Sequence, residues 1–296
     1  MKFKEIILTL IILIFGITHI YSDRVISLSP SITEILFELG AGDKIVGNTK
    51  FCNYPPAAVP IRNIGGYLDI NLEMIIELKP DIIFHYPEHF RKIKKLSQYT
   101  KLVQVSHKSI NDMTDSIKII SRELGISKKG ITLTGKISKQ LDRVRMKVKK
   151  EQKRKIIIII GRDPNQLRNI TIIGKGDFLN EIIKISGGEN AYKGEITYPS
   201  VSIESLIKMD PELIIEFSFS ENPPSKEATL SLWNEFPYIK AVKNNNIHVI
   251  SDDYWVRPGP RIGKIAESMY KMLHKEKQSV IIQNRDRIFQ PLFPVL

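Results

Sequence analysis

Two stretches of this chain, 131 residues apart, follow one pattern. Asn71-Leu-Glu-Met-Ile-Ile-Glu-Leu-Lys-Pro-Asp-Ile-Ile-Phe84 lies over Ser202-Ile-Glu-Ser-Leu-Ile-Lys-Met-Asp-Pro-Glu-Leu-Ile-Ile215, glutamate on glutamate and proline on proline. The same offset carries Arg24 onto Lys155 and Tyr67 onto Tyr198. Three matches at one offset predict two similar lobes, each opening on a strand. A length of 296 residues gives each lobe enough chain for a core.

Within each lobe, apolar runs alternate with helical periodicity. In the first, Arg24 to Leu28 reads as a strand, followed by a turn at Ser29 and Pro30. Ser31 and Glu34 have capping-box spacing for a helix through Leu39, closed by Gly40. A strand over Lys44 to Val46, a helix over Asn71 to Leu78 and a strand over Asp81 to Phe84 follow. In the second, strands at Ile156 to Ile160 and Leu213 to Phe217 bracket helices at Asp177 to Ile185 and Ser202 to Met209. This alternation predicts an α/β protein: two Rossmann-like lobes with parallel sheets, joined by one long helix, with a ligand cleft between them.

Charge locates the connection. The chain is formally +12, from 44 Lys and Arg against 32 Asp and Glu. Residues 128–155 hold +10 of this and the first five residues +1, which leaves the rest of the chain near neutral. Within the basic segment Leu133, Ile137, Leu141, Val144 and Val148 form one apolar stripe. Such a helix either reads DNA or bridges the lobes with its cationic faces in water. It holds no aromatic residue for base stacking, and the bridge is the reading adopted, with no nucleic-acid partner. The divisions are then a leader over 1–22, a first lobe over 23–127, the bridge over 128–155 and a second lobe over 156–296. A stiff strut of this kind restricts hinge opening.

The N-terminus has Lys2 and Lys4, an apolar stretch from Ile6 to Phe15, and Ser22 as a small residue for cleavage. That is the layout of a secretory signal peptide; an uncleaved anchor is the alternative. The expectation is export to a periplasm through a cleaved leader. No cysteine stands near the cleavage point, so the protein is not expected to be a lipoprotein. Cys52 is the single cysteine, which excludes an intrachain disulfide and any Cys-based cluster.

Motifs for catalysis are missing. Gly174-Lys-Gly-Asp177 is a glycine-containing turn without a dinucleotide fingerprint or a Walker phosphate loop. Neither a Gly-x-Ser-x-Gly elbow nor a His-Glu-x-x-His zinc motif occurs. An α/β enzyme stays open as a distant alternative, and no catalytic residue or catalytic cofactor is assigned.

Several segments together resemble the helical-backbone substrate-binding proteins of bacterial ABC importers. They are Arg24-Val-Ile-Ser-Leu-Ser-Pro-Ser-Ile-Thr-Glu34, Cys52-Asn-Tyr-Pro-Pro56, Lys79-Pro-Asp81, Gly187-Gly-Glu-Asn190 and Arg257-Pro-Gly-Pro-Arg261. The resemblance covers about residues 24 to 275 and is strongest to the family's cobalamin binders. It implies a monomeric, non-enzymatic receptor that captures a corrinoid, or alternatively haem or a ferric siderophore, and delivers it to a permease dimer in the inner membrane. It implies that Glu73 and Glu204 dock onto the permease. It implies that Tyr54, Tyr67, Tyr86, Tyr198, Asp253, Trp255 and Arg257 contact the ligand. Tyrosine stands at 67, 86 and 198 where the cobalamin binders carry tryptophan. In a haem binder Tyr86 or His85, with His89 nearby, would hold the iron. In a siderophore receptor Arg62, Arg257 and Arg261 would supply the cations.

Overall fold

The computed structural model describes residues 24–148, 153–219 and 224–274. The leader, the junction 149–152 and the tail 278–296 fall outside them.

The first lobe is a four-stranded sheet of order β2-β1-β3-β4, built from β1 (Val25–Ser27), β2 (Ile45–Asn48), β3 (Ile82–His85) and β4 (Lys101–Gln104). All its pairings are parallel. Helices α1 (Pro30–Glu38), α2 (Leu72–Glu77), α3 (Pro87–Ile93) and α4 (Ile110–Glu123) connect or flank the strands. Parallel neighbours need such crossovers, because a short turn cannot return the chain to the same edge.

The start of α1 differs from the sequence reading. Ser29 is the N-cap and Pro30 takes the first helical position, which suits its fixed φ and missing N–H. Ser31 and Glu34 therefore form no capping box. Glu34 is buried at 2% exposure and faces the other lobe.

The second sheet has order β10-β9-β5-β6-β8, with β7 on β5. Its strands are β5 (Arg154–Gly161), β6 (Ile170–Ile172), β7 (Gly188–Asn190), β8 (Ser200–Val201), β9 (Leu213–Phe217) and β10 (Ile247–Ile250). Here the expectation of a wholly parallel sheet is corrected. β6 runs antiparallel to β5, and β8 antiparallel to β6. Residues 162–169 between β5 and β6 are too few for a parallel crossover, so the chain doubles back. Helices α6 (Phe178–Ile185), α7 (Ile203–Met209), α8 (Lys226–Trp233), α9 (Lys240–Lys243) and α10 (Ile262–Leu273) belong to this lobe.

Between the sheets runs α5 (Ser127–Val148). Its buried stripe is Gly130, Leu133, Ile137, Leu141 and Val144, with the cationic side chains turned outward. Arg154 and Lys155, assigned to the helix from sequence, instead open β5, where Arg154–Ile156 pair with Gly188–Asn190. One apolar cluster joins Val25 and Ile35 of the first lobe, Leu133 and Ile137 of α5, and Ile158 and Ile262 of the second. The lobes thus share a core at the strut.

The repeat holds at the level of hydrogen bonds. The Asp81 carboxylate accepts the Arg24 amide at 2.7 Å, and Glu212 accepts the Lys155 amide at 3.1 Å. Lys79 and Asp210 both take a left-handed conformation (φ 43° and 45°) before the matching prolines. That conformation ends each helix and turns the chain into the next strand.

Candidate functional site

Where the lobes meet, a polar network joins them. Glu34 of α1 receives two hydrogen bonds from Arg261, Nε to Oε2 at 2.7 Å and Nη2 to Oε1 at 2.5 Å. Arg257 stands 3.7 Å from the same carboxylate. It donates to Asn53 Oδ1 at 2.7 Å, to the Phe51 carbonyl at 3.1 Å and to Asp253 Oδ2 at 2.6 Å. Asn53 closes the ring by donating to Asp253 at 2.8 Å. The Arg261 guanidinium lies 4.1 Å from the Tyr54 ring centroid. Burial pushes the Glu34 carboxyl up, and the two guanidiniums oppose that shift. Tyr54, Asp253 and Arg257 are therefore brought together, but as part of a lobe-to-lobe lock. The Arg257 side chain is 1% exposed and spends its hydrogen bonds on protein. Cys52 sits beside this network, buried among Thr33 and Thr49, and burial pushes its thiol up. Such a thiol is inert.

Tyr67 and Tyr198, equivalent in the repeat, are placed as a pair. Tyr67 donates its hydroxyl proton to Glu88 Oε1 at 2.5 Å, and Tyr198 donates to Asp177 Oδ2 at 2.8 Å. Burial raises both phenols far above their ordinary range, and the neighbouring carboxylates add to it. The Tyr67 phenol is raised in small part by Tyr198, and the Tyr198 phenol by Glu88, so charge on one lobe acts on the tyrosine of the other. Tyr198 remains 38% exposed and Tyr67 half-buried. The carboxylates that hold them are not repeat-related. Glu88 comes from the first turn of α3, and Asp177 is the N-cap of α6, where its Oδ1 also accepts the Leu179 amide at 2.7 Å. Burial raises Asp177 to about 6.

Behind Tyr67 the first lobe holds an imidazole cluster. Tyr86 and His85 are interior residues, 3% and 1% exposed. His85 Nδ1 bonds the Tyr86 carbonyl, which can only accept, so that nitrogen carries the proton. His89 Nδ1 accepts the Tyr86 amide at 3.1 Å, which leaves the proton on Nε2, a buried donor without a partner among the described residues. Burial lowers His89 to about 4. It is therefore neutral at pH 7, and its Nε2 is not a lone pair offered to a metal. Among the described residues no group of three His, Cys, Asp or Glu is arranged to hold a metal ion. Trp255 does not reach the seam surface. It is 1% exposed and packs with Phe217 and Tyr254 in the shared core. Arg62 is exposed on the loop after β2.

Glu73 and Glu204 occupy the same step of α2 and α7, one residue inside the first turn, after the caps Asn71 and Ser202. Both are exposed. A surface depression of about 580 Å³ on the outer face of α5, lined by Ile131, Gly135, Lys139 and Arg143 among others, contains none of these residues.

Sequence reasoning missed Glu34 as a lobe-to-lobe anchor, and Glu88 and Asp177 as the groups that fix the tyrosines. Asp177 did carry a signal, as an acid at a helix start after a glycine turn. Glu88 carried none, because an acid in a helix's first turn is ordinary.

Two α/β lobes on a helical strut, each carrying a part-exposed tyrosine held by a carboxylate, have the architecture of the two-lobed periplasmic binding proteins. The chain belongs to the periplasmic binding protein family, which it matches over residues 25–254. It is 31% identical over 243 residues to the vitamin B12-binding protein of Vibrio vulnificus, covering 81% of this chain and 85% of the relative. The crystal structure of the periplasmic vitamin B12-binding protein BtuF of Vibrio cholerae superposes with a TM-score of 0.72 at 26% identity, over 86% of this chain and 98% of that one. A possible iron-binding periplasmic solute-binding protein from Staphylococcus epidermidis matches with a TM-score of 0.74 at 27% identity, over 86% of this chain and 99% of that one. The chain is thus a substrate-binding protein of the ABC-transporter type, a family that works with a permease and binds small ligands. No described helix is long and apolar enough to cross a membrane.

Proposed function

We propose that this protein captures a corrinoid, cobalamin foremost, between its lobes and hands it to a membrane permease without chemical change. The observation that carries this is the matched pair Tyr67 and Tyr198, one ring from each lobe, each fixed by a carboxylate at the seam. Two held rings give a broad, partly apolar ligand flat contact area, and few rotamers need freezing on binding.

The same hydrogen bonds speak against iron ligation. Ferric iron is best served by phenolate oxygen, and both phenols are raised and donate their protons to carboxylates. The haem reading relies on Tyr86 or His85, and both are interior side chains. The siderophore reading relies on Arg62, Arg257 and Arg261; the last two bond Glu34, Asn53 or Asp253, which leaves exposed Arg62 as its one uncommitted cation of the three. The B12-binding relative at 31% identity supports the corrinoid reading further. Glu73 and Glu204 serve as the docking acids, their equivalence matching a two-fold partner. The protein works as a monomer, exported by a cleaved leader and without a lipid anchor.

The test is retention of colour. Purified protein is passed through gel filtration with cyanocobalamin or with haemin. Cyanocobalamin co-elutes in a one-to-one complex; co-elution of haemin alone refutes the proposal.

A further inference from the structure

We propose that Tyr67 and Tyr198 offer the seam hydrogen-bond acceptors and no donors, so that Glu88 and Asp177 select a cargo edged with primary amides over one edged with carboxylates. The inference rests on the corrinoid reading above and names the chemistry of the edge that is recognised.

A phenol carries one proton. Tyr67 commits its proton to Glu88 and Tyr198 commits its own to Asp177. What remains on each oxygen is lone-pair density, which accepts from an N–H and repels a carboxylate. The carboxylates behind the phenols add negative charge on both sides of the seam. Two of the guanidiniums that could offset it are engaged elsewhere, Arg261 on Glu34, and Arg257 on Asn53, the Phe51 carbonyl and Asp253, while Arg62 is exposed, where water and salt screen it. Lys50, whose ammonium lies 5.1 Å from the Phe51 ring centroid, is exposed, and water and salt screen it. A cargo with carboxylate edges would lose its hydration there against two phenol oxygens whose protons are already committed, while an amide edge finds two acceptors, one on each lobe. Rejection built from unpaired or like-charged groups is how binding sites discriminate between ligands of one shape. The chain's overall charge of +12 works in the opposite direction, so discrimination against an anionic cargo would report the seam itself.

Asp177 allows the polarity to be reversed in place. Its Oδ1 accepts the Leu179 amide at 2.7 Å and its Oδ2 takes the phenol. In Asp177→Asn the side-chain carbonyl stays on the Leu179 amide, and the new NH₂ faces the Tyr198 oxygen. The phenol then accepts from protein and turns its proton toward the cargo. Asp177 is thus a positioning residue, and reversed selectivity is a readout that a merely structural role would not move.

The experiment measures equilibrium binding of two corrinoids of one ring shape at pH 7.5: dicyanocobinamide, which keeps the peripheral amides, and dicyanocobyrinic acid, which carries carboxylates in their place. The wild-type protein binds the amide form about a hundredfold more tightly, and Asp177→Asn narrows the ratio about tenfold. Tyr198→Phe, the second variant, weakens the amide form and leaves the carboxylate form unchanged. Equal wild-type affinity for the two corrinoids, or an unaltered ratio in both variants, overturns the inference while the corrinoid reading stands. Failure of both corrinoids to bind overturns the two together.

Discussion

Replacing Glu34 with alanine tests the lobe-to-lobe lock. The carboxylate is 2% exposed and is the anion that pairs bidentately with Arg261. Removing one member of a buried ion pair costs about 3–5 kcal/mol, because the remaining charge stays out of water. Two details of the site argue for the lower end. Arg257 keeps Asp253 at 2.6 Å and Asn53 at 2.7 Å. Arg261 is 18% exposed on its side chain and rests on the Tyr54 ring, so it can reach solvent. The expected loss is about 3 kcal/mol. For a chain of this size that lowers the melting temperature by about 6–12 °C. Thermal unfolding followed by circular dichroism reads this directly, and Glu34→Gln, which keeps the shape and part of the hydrogen bonding, falls between wild type and Glu34→Ala. A melting temperature for Glu34→Ala within about 2 °C of wild type would refute the lock as a stabilising element.

Asp177, raised to about 6 in the fold, is more easily protonated there than in the unfolded chain. Its contribution to stability is therefore fully present below about pH 4 and is lost as pH rises through 6, a swing of about 3 kcal/mol for a shift of roughly two units. Urea midpoints taken from pH 4 to pH 7 for wild type and for Asp177→Asn, whose side chain stays neutral, should lie close together in acid and separate toward neutral pH as wild type alone falls; parallel curves would count against it. His89 works in the opposite direction. Lowered to about 4, it contributes stability present above pH 6.5 and lost as pH falls through 4, and His89→Gln should remove that acid loss. Gly130→Ala should destabilise by about 1–3 kcal/mol, since the added carbon would meet Ser121 Cβ at 2.7 Å where α4 packs on α5; an unchanged urea midpoint would show that the helices part freely. Glu73→Ala with Glu204→Ala should abolish permease-dependent uptake and leave cargo affinity within about twofold, because both side chains are exposed in the first turns of their helices and neither bonds Tyr67 or Tyr198. Normal uptake would remove their docking role.

Much of the architecture could be read from residue order because it rests on local signals. The repeat predicted the paired strand–helix–strand units, and the Asp81 and Glu212 hydrogen bonds show why those acids recur: each ties a crossover back to its opening strand. The strut was legible as one apolar stripe in a basic segment. Its end was not, since Arg154 and Lys155 continue the cationic run yet are drawn into β5 by pairing with Gly188–Asn190. The antiparallel β6 was hidden as well, because a short apolar run carries no mark of its direction. At the seam, the rings were visible and their holders were not. Tyr67 and Tyr198 stand out through the repeat, whereas Glu88 and Asp177 reach them from unrelated positions. Arg257 and Trp255 illustrate the converse. Their residue types fit a ligand wall, and burial assigns the first to the lock and the second to the core.

The central claim is that cargo is held between the two tyrosines. Isothermal titration of cyanocobalamin into wild type and into Tyr67→Ala with Tyr198→Ala measures it most directly. One-to-one binding in wild type, weakened about a hundredfold when both rings are gone, is the predicted result, at about tenfold per aromatic contact. Wild-type affinity in the doubly substituted protein would contradict it.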